Sequence, residues 1–362
     1  MTATATPEPP PRGRLRPAAW FLAALVLVDC GVVLCRDTWE RHSPDDYAEK
    51  LAGCRSRPHD FVLAGGSPVA EGLDPDVVAG VRWRGGELSD GYAIGLSGAT
   101  TTETYYAVVH GCPVPPRLLV YGITASDLND ARQEPHGPYS LMTIADWVEW
   151  VRTKPESAEW VTRHFVQGRL AKCWAAFRYR HGIRMWAAET ADRWLPGCCP
   201  EAAKEAGELL RYSETLRAGH GYAPAEGFVT GNYDEAKATE RKLPPFGFLD
   251  KYRTGSHLKY LHKLADWAAA AGTDLVLLDM PVTADLEAKF PAAVAEYERR
   301  LAEFKAGRKV TVLCATRGAV GLGDRDFADL IHLNGGGARK LSAWLRDRLA
   351  ETDRRRGEGD RP

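Results

Sequence analysis

The 362-residue chain lacks several features that would identify its partners at once. Its 47 Lys and Arg balance 48 Asp and Glu, a formal net charge of -1, and no basic stripe runs along it. A nucleic acid or other polyanion is therefore not expected as a partner. Eight cysteines occur, but they define no disulfide framework and no Cys-x-x-Cys redox motif; Cys198-Cys199 is a vicinal pair, awkward for zinc. No cluster of His, Cys and acidic residues has metal-ligand spacing, so no metal is expected. Asn334-Gly335-Gly336-Gly337-Ala338-Arg339-Lys340 lacks both the Gly-Lys-Ser/Thr ending and the preceding strand of a phosphate loop, and reads as a helix start. No cofactor is implied.

Long apolar runs are also scarce, with one exception. Residues 17–35 are apolar apart from Asp29, and follow Arg12, Arg14 and Arg16. As a helix they would reach about 28 Å, close to the roughly 30 Å hydrocarbon core of a bilayer. The expectation is a signal anchor with residues 1–16 in the cytoplasm and the remainder outside it, periplasmic or extracellular, since basic flanks stay inside. A cleaved signal peptide is the rival reading, but no small-x-small cleavage site follows. Cys30 makes a poor lipoprotein site because an acid precedes it. If the domain is exported, the other six cysteines become candidates for disulfides, although Cys112, Cys173 and Cys314 read equally as small buried hydrophobes.

Beyond the anchor, short unalternating apolar runs appear at 61–64, 93–96, 118–123, 275–280 and 310–314. Such runs suit parallel strands covered on both faces. Helical patterns at 102–110, 257–271, 286–305 and 338–351 alternate with them, which predicts a three-layer α/β/α domain. The expected core is discontinuous, 41–139 and 253–352. Residues 140–252 form a mostly helical insertion containing six of the eleven tryptophans, read as its own core or as a lid or membrane-facing surface. Residues 219–248 are irregular, and 353–362 read as a disordered tail.

Chemistry enters at Ser67. The strand-like Phe61-Val62-Leu63-Ala64 ends in Gly65-Gly66-Ser67, where two glycines leave a hydroxyl uncovered. Far downstream lies Asp329-Leu330-Ile331-His332. A serine needs a base to become nucleophilic near neutral pH; histidine has a suitable pKa, and a carboxylate fixes its tautomer. Asp and His three apart in one loop can make that contact directly, so Ser67, His332 and Asp329 form a candidate triad. His110, His136 and His257 compete as bases but have no Asp-x-x-His partner.

These blocks, in this order, resemble the SGNH or GDSL-like hydrolase superfamily, which implies a flavodoxin-like fold. Gly65-Gly66-Ser67 is similar to its Gly-Asp-Ser block, with Gly66 in place of the acid; Gly95-Leu96-Ser97-Gly98 resembles the second block; Asp329–His332 resembles the last. The resemblance implies Ser67 as nucleophile, His332 as base, Asp329 as its orienting acid and the Gly98 N–H as an oxyanion donor. The family's third block normally supplies an asparagine to the oxyanion. Here Gly122-Ile123-Thr124 puts threonine there, and Thr124, Ser126 and Asn129 are the alternatives. The expected activity is that of a serine esterase or O-acyltransferase on an acylated small molecule or polysaccharide, with exported members suggesting cell-envelope carbohydrate. The competing expectations are an inactive SGNH-like scaffold in polymer assembly and a soluble cytoplasmic esterase.

Overall fold

The computed structural model describes residues 15–41, 46–132, 141–153, 158–223, 246–308 and 310–359. They fall into two compact units, one of residues 1–43 with 165–209, the other of 44–164 with 210–362.

The larger unit is an α/β fold. Its strands are β1 (Phe61–Gly65), β2 (Val81–Trp83), β3 (Gly86–Leu88), β4 (Gly91–Gly95), β5 (Leu118–Ile123), β6 (Asp274–Asp279) and β7 (Thr311–Cys314). Five of them form a parallel sheet in the order β4-β1-β5-β6-β7. All five regions expected to be strands are strands. β4 starts two residues earlier than its apolar run because Gly91 has no Cβ; one would meet the Phe61 ring at 2.1 Å.

Side chains alternate across the sheet. Leu63, Val120, Val276 and Leu278 share one apolar cluster with Leu341 and Leu345 of the last helix, Gly335–Gly359. Val62, Ile94, Leu119 and Leu277 share the other with residues from helices Asp46–Ser56, Thr101–Gly111, Ser256–Ala271 and Pro291–Ala306. Both faces are thus covered, which is why the strand sequences do not alternate. The strand order reverses at β1, since its two partners in the sheet, β4 and β5, both follow it in sequence, and α/β folds open a crevice at the carboxyl ends of strands flanking such a point.

Two features depart from expectation. β2 and β3 form an antiparallel hairpin turned by Arg84 (φ 48°) and Gly85 (φ 74°), both left-handed. The last helix runs to Gly359, through much of the stretch expected to be disordered. Arg356 anchors it, lying 4.9 Å from the Trp83 ring centroid and donating to Thr311 Oγ1.

The smaller unit is helical. The segment expected to span a membrane is a 20-residue helix, Leu15–Leu34. No helix among the described residues is long and apolar enough to cross a membrane. Asp29, the polar break in the run, accepts a hydrogen bond from the Ala176 N–H at the start of helix Ala175–Arg178, and Trp39 packs edge-on against Trp186. Of the segment expected to be an insertion, residues 165–209 group with this N-terminal helix. The segment's first helix, Ile144–Thr153, belongs to the α/β unit, where Trp150 is buried near Tyr260. Its tryptophans do not make one core, since Trp174, Trp186 and Trp194 are exposed. Most of the irregular 219–248 region lies outside the described residues.

Candidate active site

A row of glycines makes the site possible. Gly65 of β1 pairs in register with Gly95 of β4 on one side and Gly122 of β5 on the other. The short helix Ser67–Gly72 lies down on this bare strip. A Cβ on Gly122 or Gly65 would meet Val69 Cγ2 at 2.3 or 2.4 Å, and one on Gly95 would meet the Ala70 backbone nitrogen at 2.2 Å. Strand β1 can therefore turn at once into the helix, presenting a partly exposed Ser67 as its first residue. Gly66 is equally constrained: its Cβ would lie 3.0 Å from the Ala99 carbonyl oxygen and 3.1 Å from Asp127 Oδ1.

The Asp329–His332 loop is pinned from several sides. Phe327 bridges to Leu333, and the Ala328 N–H donates to the His332 carbonyl at 2.8 Å. Phe327, Leu330, Ile331 and Leu333 are buried, while Thr283 donates twice to the Leu330 carbonyl. Asn334 caps the last helix by accepting from the Gly336 and Gly337 N–H groups. Asp329 Oδ1 accepts the N–H groups of Ile331 and His332, both at 2.9 Å, leaving Oδ2 for His332 Nδ1 at 2.7 Å. His332 Nε2 lies 2.8 Å from Ser67 Oγ. With its proton on Nδ1, the imidazole accepts the serine hydroxyl.

The electrostatics follow from these contacts. Burial pushes the Asp329 carboxyl up, but the His332 hydrogen bond and charge and two backbone donors outweigh it and hold it below the ordinary range. For His332, burial favours the neutral ring; the Asp329 hydrogen bond and the charges of Glu71 and Asp329 prevail and raise its pKa, with Arg132 opposing them.

Gly98 adopts a left-handed conformation (φ 75°) in the tight turn closed by the Ala99 N–H donating to the Leu96 carbonyl. Neither the Ser67 nor the Gly98 N–H has an acceptor among the described residues. Of the alternatives for the third donor, Thr124 commits its hydroxyl to Asp127 Oδ2 (2.8 Å) and Asn129 commits its amide to the Phe248 carbonyl (2.9 Å). Ser126 is buried in the 3-10 turn Ala125–Leu128.

Arg132 joins the site without any sequence motif to mark it. Its guanidinium donates to the Gly98 carbonyl at 2.8 Å and reaches the Ala99 carbonyl at 3.5 Å. It also lies 3.8 Å from the buried Asp127 carboxylate and over the Phe248 ring. It therefore braces the loop carrying Gly98, and its charge reaches His332. Of the competing bases, His257 is fully buried with Thr102 Oγ1 2.8 Å from its Nδ1, and His136 lies outside the described residues.

No family model matches the chain, and no curated protein matches it.

Proposed function

We propose that this protein is a serine-dependent esterase or O-acyltransferase of the SGNH type with a flavodoxin-like core. The observation that carries the reading is the continuous hydrogen-bonded chain Ser67–His332–Asp329, at 2.8 and 2.7 Å, at the carboxyl end of β1. The strand order supports it, being that of flavodoxin-like sheets, with Ser67 directly after the strand at the switch point. Ser67 Oγ attacks the acyl carbonyl carbon as its proton passes to His332 Nε2. Asp329 holds the ring and stabilises the imidazolium. The N–H groups of Ser67 and Gly98 receive the negative charge that develops on the carbonyl oxygen. His332 returns the proton to the departing alcohol, and water or a carbohydrate hydroxyl then takes the acyl group from Ser67. The raised pKa of His332 means that this base becomes available above the ordinary histidine range.

We place the enzyme at an extracytoplasmic membrane surface, acting on O-acyl groups of envelope carbohydrate or of a small acylated molecule. The basic residues before helix Leu15–Leu34 support this, as do its exposed Trp20, Phe21, Leu22, Leu27 and Leu34. Recovery of the full chain in the soluble fraction after gentle lysis would contradict that placement. A second reading, a catalytically weak scaffold, is favoured by the commitment of Thr124 and Asn129 to structural hydrogen bonds, since losing one oxyanion donor costs about 10²–10³ in rate. Hydrolysis of a nitrophenyl ester decides between them: the esterase reading expects turnover that Ser67→Ala abolishes, whereas equal rates in both proteins would refute the nucleophile.

A further inference from the structure

Cys54 and Cys112 are 58 residues apart in sequence, yet their sulfur atoms lie 3.0 Å apart in the interior of the α/β unit. Cys54 belongs to helix Asp46–Ser56, and Cys112 caps the end of helix Thr101–Gly111. Both are buried, at 1% and 6% exposure. Cys30, Cys35, Cys173, Cys198 and Cys314 are exposed, and Cys199 is half-buried. As thiols the two groups share a hydrogen bond, whereas a bonded pair is separated by about 2.05 Å. Roughly 1 Å of movement, shared between two side chains, makes the bond.

We propose that Cys54 and Cys112 form a disulfide that clamps the two helices flanking the Gly98 loop. Helix Asp46–Ser56 carries Lys50, whose ammonium donates to the carbonyl of Gly95 at the end of β4. Helix Thr101–Gly111 begins just after Gly98, where Thr100 and Glu103 close a capping box. Arg55 adds a hydrogen bond to the His110 carbonyl beside the pair. The bond thus joins the element supporting the end of β4 to the element that follows the loop. This clamp is independent of the catalytic assignment.

The chemistry is thiol–disulfide exchange with a small-molecule or protein disulfide as oxidant. One cysteine thiolate attacks an oxidant sulfur and expels a thiolate, giving a mixed disulfide. The second cysteine attacks the protein sulfur of that intermediate and expels the second thiolate. Two protein thiols become one disulfide, and the oxidant is reduced to two thiols. The Cys112 hydrogen bond and burial hold the Cys54 thiol well above its ordinary pKa, so the folded pair is slow to react and the bond forms as the chain folds. An oxidising compartment supplies such conditions.

The test refolds the reduced, denatured full chain in a glutathione redox buffer, blocks free thiols with N-ethylmaleimide in denaturant, and maps the peptides without reductant. The expected result is one cross-linked species joining the Cys54 and Cys112 peptides, two hydrogen atoms lighter than their sum, with Cys173 and Cys314 alkylated. Alkylation of both Cys54 and Cys112, or linkage of either to another cysteine, overturns the proposal. Reducing the refolded protein is expected to lower its melting temperature by about 5–10 °C. The Cys54→Ala/Cys112→Ala variant should show no such change. A cross-linked protein whose melting temperature ignores reductant overturns the clamp.

Discussion

Replacing Asp329 with asparagine is the most informative perturbation of the proposed triad. Asp329 has two separate tasks: Oδ1 accepts two backbone N–H groups, and Oδ2 accepts His332 Nδ1. Asparagine has one acceptor and one donor end. If its carbonyl keeps the two backbone donors, its NH₂ faces Nδ1. The imidazole must then carry its proton on Nε2, where it donates to Ser67 Oγ instead of accepting from it. The opposite flip leaves two buried N–H groups facing an amide donor. The first arrangement preserves the loop and removes the base, so kcat should fall about 10⁴-fold, about 5 kcal/mol of transition-state stabilisation. The side chain is nearly isosteric, so the melting temperature should change far less than the rate. Nitrophenyl ester turnover and the rate of fluorophosphonate labelling, each measured from pH 5 to 9, supply the readout. Loss of the Asp329 charge also removes a cause of the raised His332 pKa, so any residual activity should have its inflection at lower pH. A loss smaller than about 10-fold would refute the assigned role of Asp329.

Other outcomes follow from the same contacts. Wild-type kcat/KM should rise with pH through an inflection above 6.5, because His332 acts as base only when neutral. Arg132→Met removes a charge that lowers the His332 pKa, so that inflection should move up; a rate loss with an unmoved inflection would reduce Arg132 to a structural brace. Gly95→Ala forces a Cβ against the backbone of Ala70, and should cost about 1–3 kcal/mol in urea unfolding, whereas Gly318→Ala, with open space around it, should change stability by less than about 0.5 kcal/mol. Burial pushes Asp279 up to about 6, against the opposing hydrogen bond from Tyr297. Folding therefore favours its neutral form, and stability is lost as pH rises from about 4 to 6; Asp279→Asn should stabilise the protein by up to about 3 kcal/mol at pH 8 and by little at pH 4. Equal effects of that substitution at both pH values would contradict the titration.

The parallel sheet was legible because strands buried on both faces carry the plain signature of short unalternating apolar runs. The triad residues were legible because Gly-Gly-Ser and Asp-x-x-His are local patterns; their meeting across 265 residues is a product of folding. What stayed hidden depends on register or on distant carbonyls. The aligned Gly65, Gly95 and Gly122 come from three separate strands, and no local pattern links them. Arg132 works through the carbonyls of Gly98 and Ala99, more than thirty residues upstream, and no motif marks it. The β2–β3 hairpin was missed because its strands are three residues long and an arginine takes the first left-handed turn position, where asparagine or glycine is usual. The charged C-terminal stretch reads as solvated, yet helix propensity and the packing of Arg356 on Trp83 carry it as helix to Gly359. At the third block, Thr124 and Asn129 have oxyanion-donor chemistry by residue type, but their hydrogen bonds are turned inward to Asp127 and Phe248.

We propose above that Ser67 is a nucleophile activated by His332. The most direct test of this assignment is peptide mass spectrometry of the full chain after reaction with a fluorophosphonate. One covalent adduct is expected, on the peptide containing Ser67, absent from Ser67→Ala and formed at least about 10²-fold more slowly in His332→Ala. An adduct on another residue, or no adduct under conditions that label a control serine esterase, would contradict it.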